Sequence, residues 1–192
     1  MYGSKSHPAE YRVVPLESLV SSHTFSDGNV TSNIKREIYP PELQENDYSI
    51  GTPHYFKVEN NAKAKVANYW VSDNPDAING PPIIGRNNLV INGNGRTMTL
   101  QLAAHNNDYQ WYRDALDQKA SQFGIDPAAY ADMKHPVLVR AVDMDERTAE
   151  AFTFAKEANR PATMQNSLRD QAASYVDLLP SEAFSTIEAD DI

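Results

Sequence analysis

NLVINGNGRTMTLQLAA, residues 88–104, joins a short apolar run to a turn with two glycines and then to a second apolar segment. Residues 89–91 predict a strand, residues 92–95 interrupt it, and residues 96–104 predict a helix. A strand that leads through a glycine turn into a helix points backbone N–H groups at a phosphate. Asn-Gly is also the strongest short hairpin signal, so a plain β-turn stays open as the other interpretation.

The turn has residue types that suit phosphate binding. Gly93 and Gly95 allow positive φ angles and a close approach of the backbone. The Arg96 guanidinium is a permanently charged fork that matches phosphate oxygens, and Thr97 can cap the helix or bond a phosphate. The P-loop ending Gly-Lys-Ser/Thr and the Gly-x-Gly-x-x-Gly dinucleotide motif are both absent from this stretch, so neither class is predicted.

The composition is that of a globular domain without cysteine chemistry. The 192 residues are 41% hydrophobic, with a mean hydropathy of −0.58 and no cysteine. Disulfides, thiolate metal sites and thiol nucleophiles are therefore excluded. No apolar run approaches the roughly 18 residues of a membrane span, and residues 1–10 lack the apolar centre of a signal peptide. We therefore expect a cytoplasmic protein that does not enter a membrane.

The net charge of −9 argues against a module that binds DNA on its own. Asp and Glu number 26, against 17 Lys and Arg, whereas binding to a duplex depends on Lys and Arg that neutralise phosphates. A local basic pocket for a small polyphosphate is compatible with this charge. The acidity also favours solubility.

The remaining pattern predicts a mixed α+β domain. Strands are predicted at residues 11–14, 82–85 and 136–142, the second paired with residues 89–91 across Arg86-Asn87 and the third a continuous apolar run typical of a buried strand. Helices are predicted from residue 52 or 53 to about 71, at 108–123 with Gly124 as C-cap, after Asp126-Pro127, at 145–159 with acidic residues 143–146 at its start, and after Ser167. Residues 16–20 predict a helical turn, 21–33 and 72–82 loops, and 39–44 an extended segment.

An ordered set of short motifs is more specific than any one of them. It comprises residues 11–23, 39–44, 82–85, 91–97, 123–127, 136–140 and 154–159. The set resembles the ParB/sulfiredoxin superfamily, and most of all the DdrB-type ParB-like domain of large multidomain proteins of phages and conjugative elements. The resemblance covers residues 11–179 and implies an α+β fold, with a small mixed sheet flanked by helices and a helical C-terminal part. It divides the chain into a flexible leader (1–10), a nucleotide-binding core (11–160) and a C-terminal helix with an acidic tail (161–192).

Two of the three sequence boxes that surround a nucleotide in ParB relatives fall before residue 100. Gln44 stands where the first box has its glutamine, although Glu45-Asn46 replaces the Pro-Arg that follows it in relatives. The second box, which cradles the triphosphate, corresponds to Gly93, Asn94, Gly95 and Arg96, with one arginine instead of two. The resemblance implies that these residues, with Thr97, bind the phosphates.

The third box corresponds to Glu157 and Asn159, with Ala158 between them. Relatives hold a divalent cation here, so the resemblance implies Mg²⁺ bound by Glu157 and Asn159. Gln44 would orient a water for attack, because phosphoryl transfer depends on positioning more than on covalent chemistry. Gln44 and Glu157 are therefore the predicted catalytic residues. The missing cysteine excludes the sulfinic-acid repair of sulfiredoxins.

His23 follows Ser21-Ser22 and completes the predicted nucleotide-binding set. Adjacent residues rarely present both of their side chains to one substrate, and the Gly-x-Ser-x-Gly elbow is absent. We therefore predict a loop histidine near the nucleotide pocket rather than a Ser-His nucleophile pair.

The resemblance implies a phage or mobile-element domain that binds a nucleoside triphosphate and hydrolyses it slowly with Mg²⁺, as a switch. The expected partners are the nucleotide and either a second copy of the chain or other domains of a larger protein, in the host cytoplasm or associated with the virion. Two alternatives stay open. One is a non-catalytic interaction module of a larger phage or plasmid protein, and the other is a ParB-like nuclease, against which the acidic charge argues.

Overall fold

The computed structural model describes residues 7–159, and its fold is α+β, as predicted. A four-stranded mixed sheet and a two-stranded antiparallel sheet lie among four α-helices in this range. The strands are β1 (Ala9–Pro15), β2 (His23–Ser26), β3 (Asn29–Ser32), β4 (Ile83–Ile84), β5 (Val90–Asn92) and β6 (Pro136–Val142). The helices are α1 (Pro53–Lys63), α2 (Asn94–His105), α3 (Gln110–Lys119) and α4 (Ala149–Ala158). None of the helices within residues 7–159 has the length and apolar character needed to cross a membrane.

Strand β6 lies inside the larger sheet, whose order is β1-β6-β4-β5. All seven of its residues are buried, which confirms the predicted buried strand. It pairs antiparallel with β1 and parallel with β4. Strand β4 pairs antiparallel with β5, which confirms the predicted pairing across Arg86-Asn87. Strand β1 begins at Ala9, so its pairing with β6 reaches into the residues assigned to the leader.

The interpretation of residues 21–33 as a loop was wrong, because β2 and β3 form a hairpin there. The turn residues Asp27 and Gly28 have positive φ angles of 53° and 79°, as tight two-residue hairpin turns require. The Asp-Gly pair was the signal for this turn. The hairpin matters for the site because His23 is the first residue of β2.

Several predicted elements differ in length or type. Helix α3 ends at Lys119 and is followed by a 3-10 turn at Ala120–Phe123, and the helix predicted after Asp126-Pro127 is a 3-10 turn at Pro127–Tyr130. Helix α1 ends at Lys63, and Lys65, with φ 54°, separates it from a 3-10 helix at Val66–Trp70. The segment predicted to be extended at 39–44 contains a 3-10 turn at Pro41–Leu43. Helix α4 begins at Ala149, after the cap residue Thr148, and so excludes residues 145–147. The helix predicted after Ser167 lies outside the described residues.

Glu146 explains why α4 begins late. Its side chain is fully buried and accepts hydrogen bonds from the backbone N–H groups of Asn87 and Leu89, at 2.8 and 2.9 Å, and from the Asn87 side chain at 2.8 Å. A Cβ at Gly85 would lie 2.5 Å from the Glu146 side chain. The carboxylate therefore holds the β4–β5 turn instead of facing a helix dipole at the surface.

Three apolar clusters surround α2 and the larger sheet. The first packs α2 and α3 against β6 through residues that include Leu100, Tyr112, Leu116 and Leu138. The second packs α4 and the 3-10 turn Pro41–Leu43 against β5 through residues that include Leu43, Ile91, Ala151 and Ala155. The third packs α1 and the hairpin against α2 through residues that include Phe25, Val58, Met98 and Leu102. Helix α2 is therefore enclosed along its length, and its N-terminal turn is held in place from several sides.

Candidate phosphate-binding site

The turn between β5 and α2 has a backbone conformation that requires glycine. Gly93 is the N-cap of α2, with φ 109° and ψ 27°, which L side chains rarely adopt. A Cβ at Gly93 would lie 3.0 Å from the Cα of Pro82 and 3.2 Å from the Cζ of Arg96. A larger residue would therefore strain the turn and press it against Pro82.

The N-termini of α2 and α3 have no side-chain cap, in contrast to those of α1 and α4. In α1, Thr52 Oγ1 accepts the N–H of Tyr55 at 3.2 Å, and in α4, Thr148 Oγ1 accepts the N–H of Ala151 at 3.2 Å. The first turn of a helix has N–H groups without intrahelical partners and a partial positive charge. Phosphate binding at the α2 N-terminus stays a prediction.

The side chains of Asn94 and Thr97 hold this turn together. Asn94 Oδ1 accepts the N–H of Ser22 at 2.7 Å, and Asn94 Nδ2 donates to the Tyr39 hydroxyl at 3.0 Å. Thr97 Oγ1 donates to the carbonyl of Gly93 at 2.9 Å. These contacts fix α2 relative to the start of β2. Nucleotide contact by either side chain stays a prediction.

Arg96 is only 9% exposed, and its guanidinium points into the protein. Nη1 donates to the carbonyl of Gly80 at 2.7 Å, and Nη2 donates to the carbonyl of Ala77 at 2.7 Å and to Asn92 Oδ1 at 2.5 Å. Burial, followed by the positive charge of Arg140, lowers the pKa of Arg96 to about 9. In this conformation Arg96 stabilises the loop that precedes β4 through these hydrogen bonds. Direct contact between its side chain and a phosphate stays a prediction.

Arg140, in the middle of β6, binds the same loop and was not among the predicted site residues. Its side chain is 7% exposed, and burial lowers its pKa. It donates to the carbonyl oxygens of Asn74, Asp76, Ala77, Asn79 and Pro81. The sequence signal that identifies Arg140 is a single arginine in an otherwise apolar strand.

His23 lies beside the α2 N-terminus, since Ser22, its neighbour, is bound to Asn94. The residue is 3% exposed, and its Nδ1 lies 3.0 Å from Ser22 Oγ. Its Nε2 lies 3.7 Å from Asp47 Oδ1 and makes no hydrogen bond with another described residue. Burial lowers the pKa of His23, and Asp47 offsets part of that shift. Ser22 is fully buried, so the Ser22–His23 contact positions the imidazole rather than presenting a nucleophile. The predicted loop position of His23 was wrong, because the residue begins β2, and its contact with a nucleotide stays a prediction.

Asn92 connects the second and third boxes. Its Oδ1 accepts from Arg96, and its Nδ2 donates to Asn159 Oδ1 at 2.7 Å. The structure thus brings Asn159, the C-cap of α4, close to Arg96. Glu157 is half-buried near the end of α4. Gln44 is buried, and its Oε1 accepts the N–H of Asn46 at 2.8 Å, so it shapes the segment that leads to Tyr48.

These residues do not form a metal site by themselves. Within residues 7–159 there is no cluster of three or more His, Asp or Glu side chains that could hold a metal ion. The Asn159 side-chain oxygen already accepts a hydrogen bond from Asn92, and the predicted pair contains one carboxylate, that of Glu157. Mg²⁺ in phosphate sites is commonly bound by one or two carboxylates together with substrate phosphates. Metal binding here would therefore depend on the phosphates of the ligand.

A comparison against protein families assigns most of the chain to one family. The chain matches the ddrB-like ParB superfamily domain over residues 3–143, and it belongs to that family. Comparison with curated proteins gave no significant match, and comparison with solved structures gave none either. The family match includes the first two boxes and ends before α4, which contains Glu157.

Proposed function

We propose that the turn at residues 93–96 binds the phosphate groups of a nucleoside triphosphate. The observation that carries this proposal is the N-terminus of α2, which has a glycine with φ 109° at its cap and no side-chain cap. Backbone N–H groups and the helix dipole together attract anions at such a position. Membership of the ddrB-like ParB superfamily supports the same ligand class.

The buried charges behind the turn favour an anion. The hydrogen bonds that Arg96 and Arg140 make within the described residues go to carbonyl and side-chain amide oxygens, not to carboxylates. Carbonyl dipoles solvate a guanidinium but leave its net charge in place. In a medium of low dielectric, two such charges raise the local potential. The two arginines therefore favour an anion at this turn, in a chain of net charge −9.

Slow hydrolysis of the nucleotide, as a switch in a phage or mobile-element protein, is the further part of this proposal. It rests on the family and on the positions of Gln44 and Glu157, of which the latter lies on the helix that packs beside β5. Phosphate binding does not require either side chain. Release of inorganic phosphate is therefore a separate measurement from binding.

A non-catalytic interaction module is the second candidate, and a specific observation favours it. In this conformation the Arg96 guanidinium hydrogen-bonds to oxygens of the protein itself, so the arginine of the triphosphate box serves the fold. A domain of this kind would retain the ParB-like architecture and bind no nucleotide.

Thermal unfolding with ATP, CTP, GTP or UTP, each with and without Mg²⁺, tests the proposal. A ligand that binds the folded state stabilises it by RT ln(1 + [L]/Kd), or about 2.7 kcal/mol at about 100 times Kd. Asn94→Asp places a negative charge of nearly the same shape at the α2 N-terminus and should abolish the shift. Asn106→Asp makes the same change at the exposed C-cap of that helix and should retain it.

Circular dichroism should show that both variants are folded. Absence of a shift for the unmodified chain with all four nucleotides would reject nucleotide binding and favour the interaction module. Equal shifts for Asn94→Asp and the unmodified chain would place the ligand away from this turn.

A further inference from the structure

Tyr48 covers the N-terminal turn of α2. A Cβ at Gly95 would lie 3.2 Å from the Tyr48 hydroxyl and 3.3 Å from its Cε1, so the phenol rests directly on this glycine. Burial raises the pKa of Tyr48, and the Asn46 side chain and the backbone N–H of Gly95, both near its hydroxyl, offset part of that shift. A phosphate oxygen bound to the same turn would use that N–H and occupy the same position.

The segment that carries Tyr48 has few contacts that would prevent it from moving. Residues 44–49 contain neither helix nor strand. The hydrogen bonds of this segment stay within residues 41–52. Asn46 N–H donates to Gln44 Oε1, Ser49 donates to Asp47 Oδ1, Gln44 N–H donates to the carbonyl of Pro41, and the N–H and hydroxyl of Thr52 donate to the carbonyl of Ser49. The Tyr48 ring contacts His23 edge-on, with centroids 5.6 Å apart, and lies 5.3 Å from His54. The ring and the hydroxyl of Tyr48 are therefore what attaches this segment to the turn.

A second group at this position is suited to a phosphate. His23 is 3% exposed, and its Nε2 lies 3.7 Å from Asp47 Oδ1 in a long ion pair. Asp47 belongs to the same segment as Tyr48. Movement of this segment would therefore separate the Tyr48 hydroxyl from Gly95 and the Asp47 carboxylate from His23 at the same time. The Gly95 N–H and the His23 Nε2 could then both bind the same anion.

We propose that Tyr48 is a residue of the phosphate site whose hydroxyl holds the place of a phosphate oxygen at Gly95, and that the phosphate displaces it on binding. This proposal rests on the proposed function and specifies how the same site is reached. Displacement breaks the contacts that the Tyr48 hydroxyl makes in the free protein, and their loss weakens the net affinity for the ligand. Removal of that hydroxyl alone should therefore strengthen binding.

The test measures the Kd of inorganic tripolyphosphate by calorimetry for the unmodified chain, Tyr48→Phe and Tyr55→Phe. Tyr48→Phe retains the ring that packs on His23 and removes the competing oxygen, so its affinity should rise about three- to tenfold, the size expected for one lost hydrogen bond. Tyr55→Phe makes the same change on the neighbouring helix α1 and should leave the Kd unchanged. In a protein labelled with ¹³C-tyrosine, the Tyr48 resonance should shift on addition of tripolyphosphate, whereas that of Tyr55 should not.

An unchanged or weaker affinity of Tyr48→Phe, with clear binding by the unmodified chain, would overturn the displacement by phosphate and leave the proposed function intact. Binding by Tyr48→Phe alone would support displacement in its strongest form. Failure of all three proteins to bind tripolyphosphate would overturn this inference, whereas the nucleotide shifts in thermal unfolding decide the proposed function.

Discussion

Arg96 and Arg140 donate to the same carbonyl oxygen, that of Ala77, at 2.7 and 3.2 Å. One arginine comes from the first turn of α2 and the other from the middle of β6, so the helix and the sheet meet under one loop. The two like charges are close enough that Arg140 contributes to the lowered pKa of Arg96. The loop carbonyls therefore connect α2 to β6, and they also solvate the buried guanidinium groups of Arg96 and Arg140.

Arg96→Ala should lower the free energy of unfolding by about 3 kcal/mol, because several buried carbonyl groups lose a charged donor and a cavity remains. Urea denaturation measures this change. Arg147→Ala is the matched control, since Arg147 is exposed and donates to the carbonyls of Glu37 and Ile38, and its effect should be clearly smaller. Equal effects at the two positions would show that the interior network contributes little to stability.

Gly93→Ala should destabilise the protein more than Gly28→Ala does. Both glycines have positive φ, which costs an alanine about 1–2 kcal/mol. A Cβ at Gly28 has nothing within 4 Å, whereas one at Gly93 would lie 3.0 Å from the Pro82 backbone. The difference between the urea midpoints of the two variants measures the effect of the contact between the new Cβ and Pro82. The two midpoints should be equal if the turn can move away from Pro82 without a loss of stability.

Glu146→Gln should lower the free energy of unfolding by about 2 kcal/mol, since a side-chain NH₂ group would replace an oxygen that faces N–H donors. The comparison is Asp143→Asn, which removes a carboxylate from the exposed ion pair with Arg86 and should change stability little because water screens that pair. Chemical denaturation at neutral pH distinguishes the two. A neutral effect of Glu146→Gln would mean that the β4–β5 turn does not depend on the charge.

His23 should make stability depend on pH. Burial places the pKa of His23 in the folded protein below its ordinary value of 6.5, so the unfolded chain binds this proton more tightly. The contribution of neutral His23 is therefore present above 6.5 and is lost as the pH falls through the lower, folded pKa. The groups that face the imidazole are Asp47, Tyr48 and the Ser22 hydroxyl.

Denaturation of the unmodified chain and of His23→Gln between about pH 7.5 and about pH 5 measures this effect, because no other histidine differs between the two proteins. The unmodified chain should lose more stability than the variant over that range. Parallel curves would show that His23 has the same pKa in both states.

The sequence predicted those elements whose signals are local and unopposed. The apolar run of β6 specified a buried strand, and Gly124, with φ 73°, ends the 3-10 turn that follows α3, as its position indicated. Asp126 caps the next turn by accepting the N–H of Ala128 at 3.0 Å. Each of these features depends on neighbours within a few residues, so the pattern alone was sufficient.

The contacts of the charged side chains could not be predicted from local sequence patterns. The sequence around Arg96 is compatible with a guanidinium that faces either solvent or the protein interior. The guanidinium lies inside because carbonyl oxygens of residues 77–81 accept its hydrogen bonds. The acidic residues around Glu146 predict a helix start, because carboxylates favour that position, but the Glu146 carboxylate instead accepts the N–H groups of the β4–β5 turn. Tyr48 gave no signal, since its contact with Gly95 joins residues 47 positions apart.

Helix α4 also determines where an expressed fragment of this domain can end. The family match stops at residue 143, yet Ala151 and Ala155 in α4 are buried against Tyr39, Leu43 and Ile91. An expression clone designed on the family boundary would remove this helix and leave a large apolar area in contact with water, which promotes aggregation. Clones, chimaeras and domain swaps of this protein should therefore extend at least through Asn159.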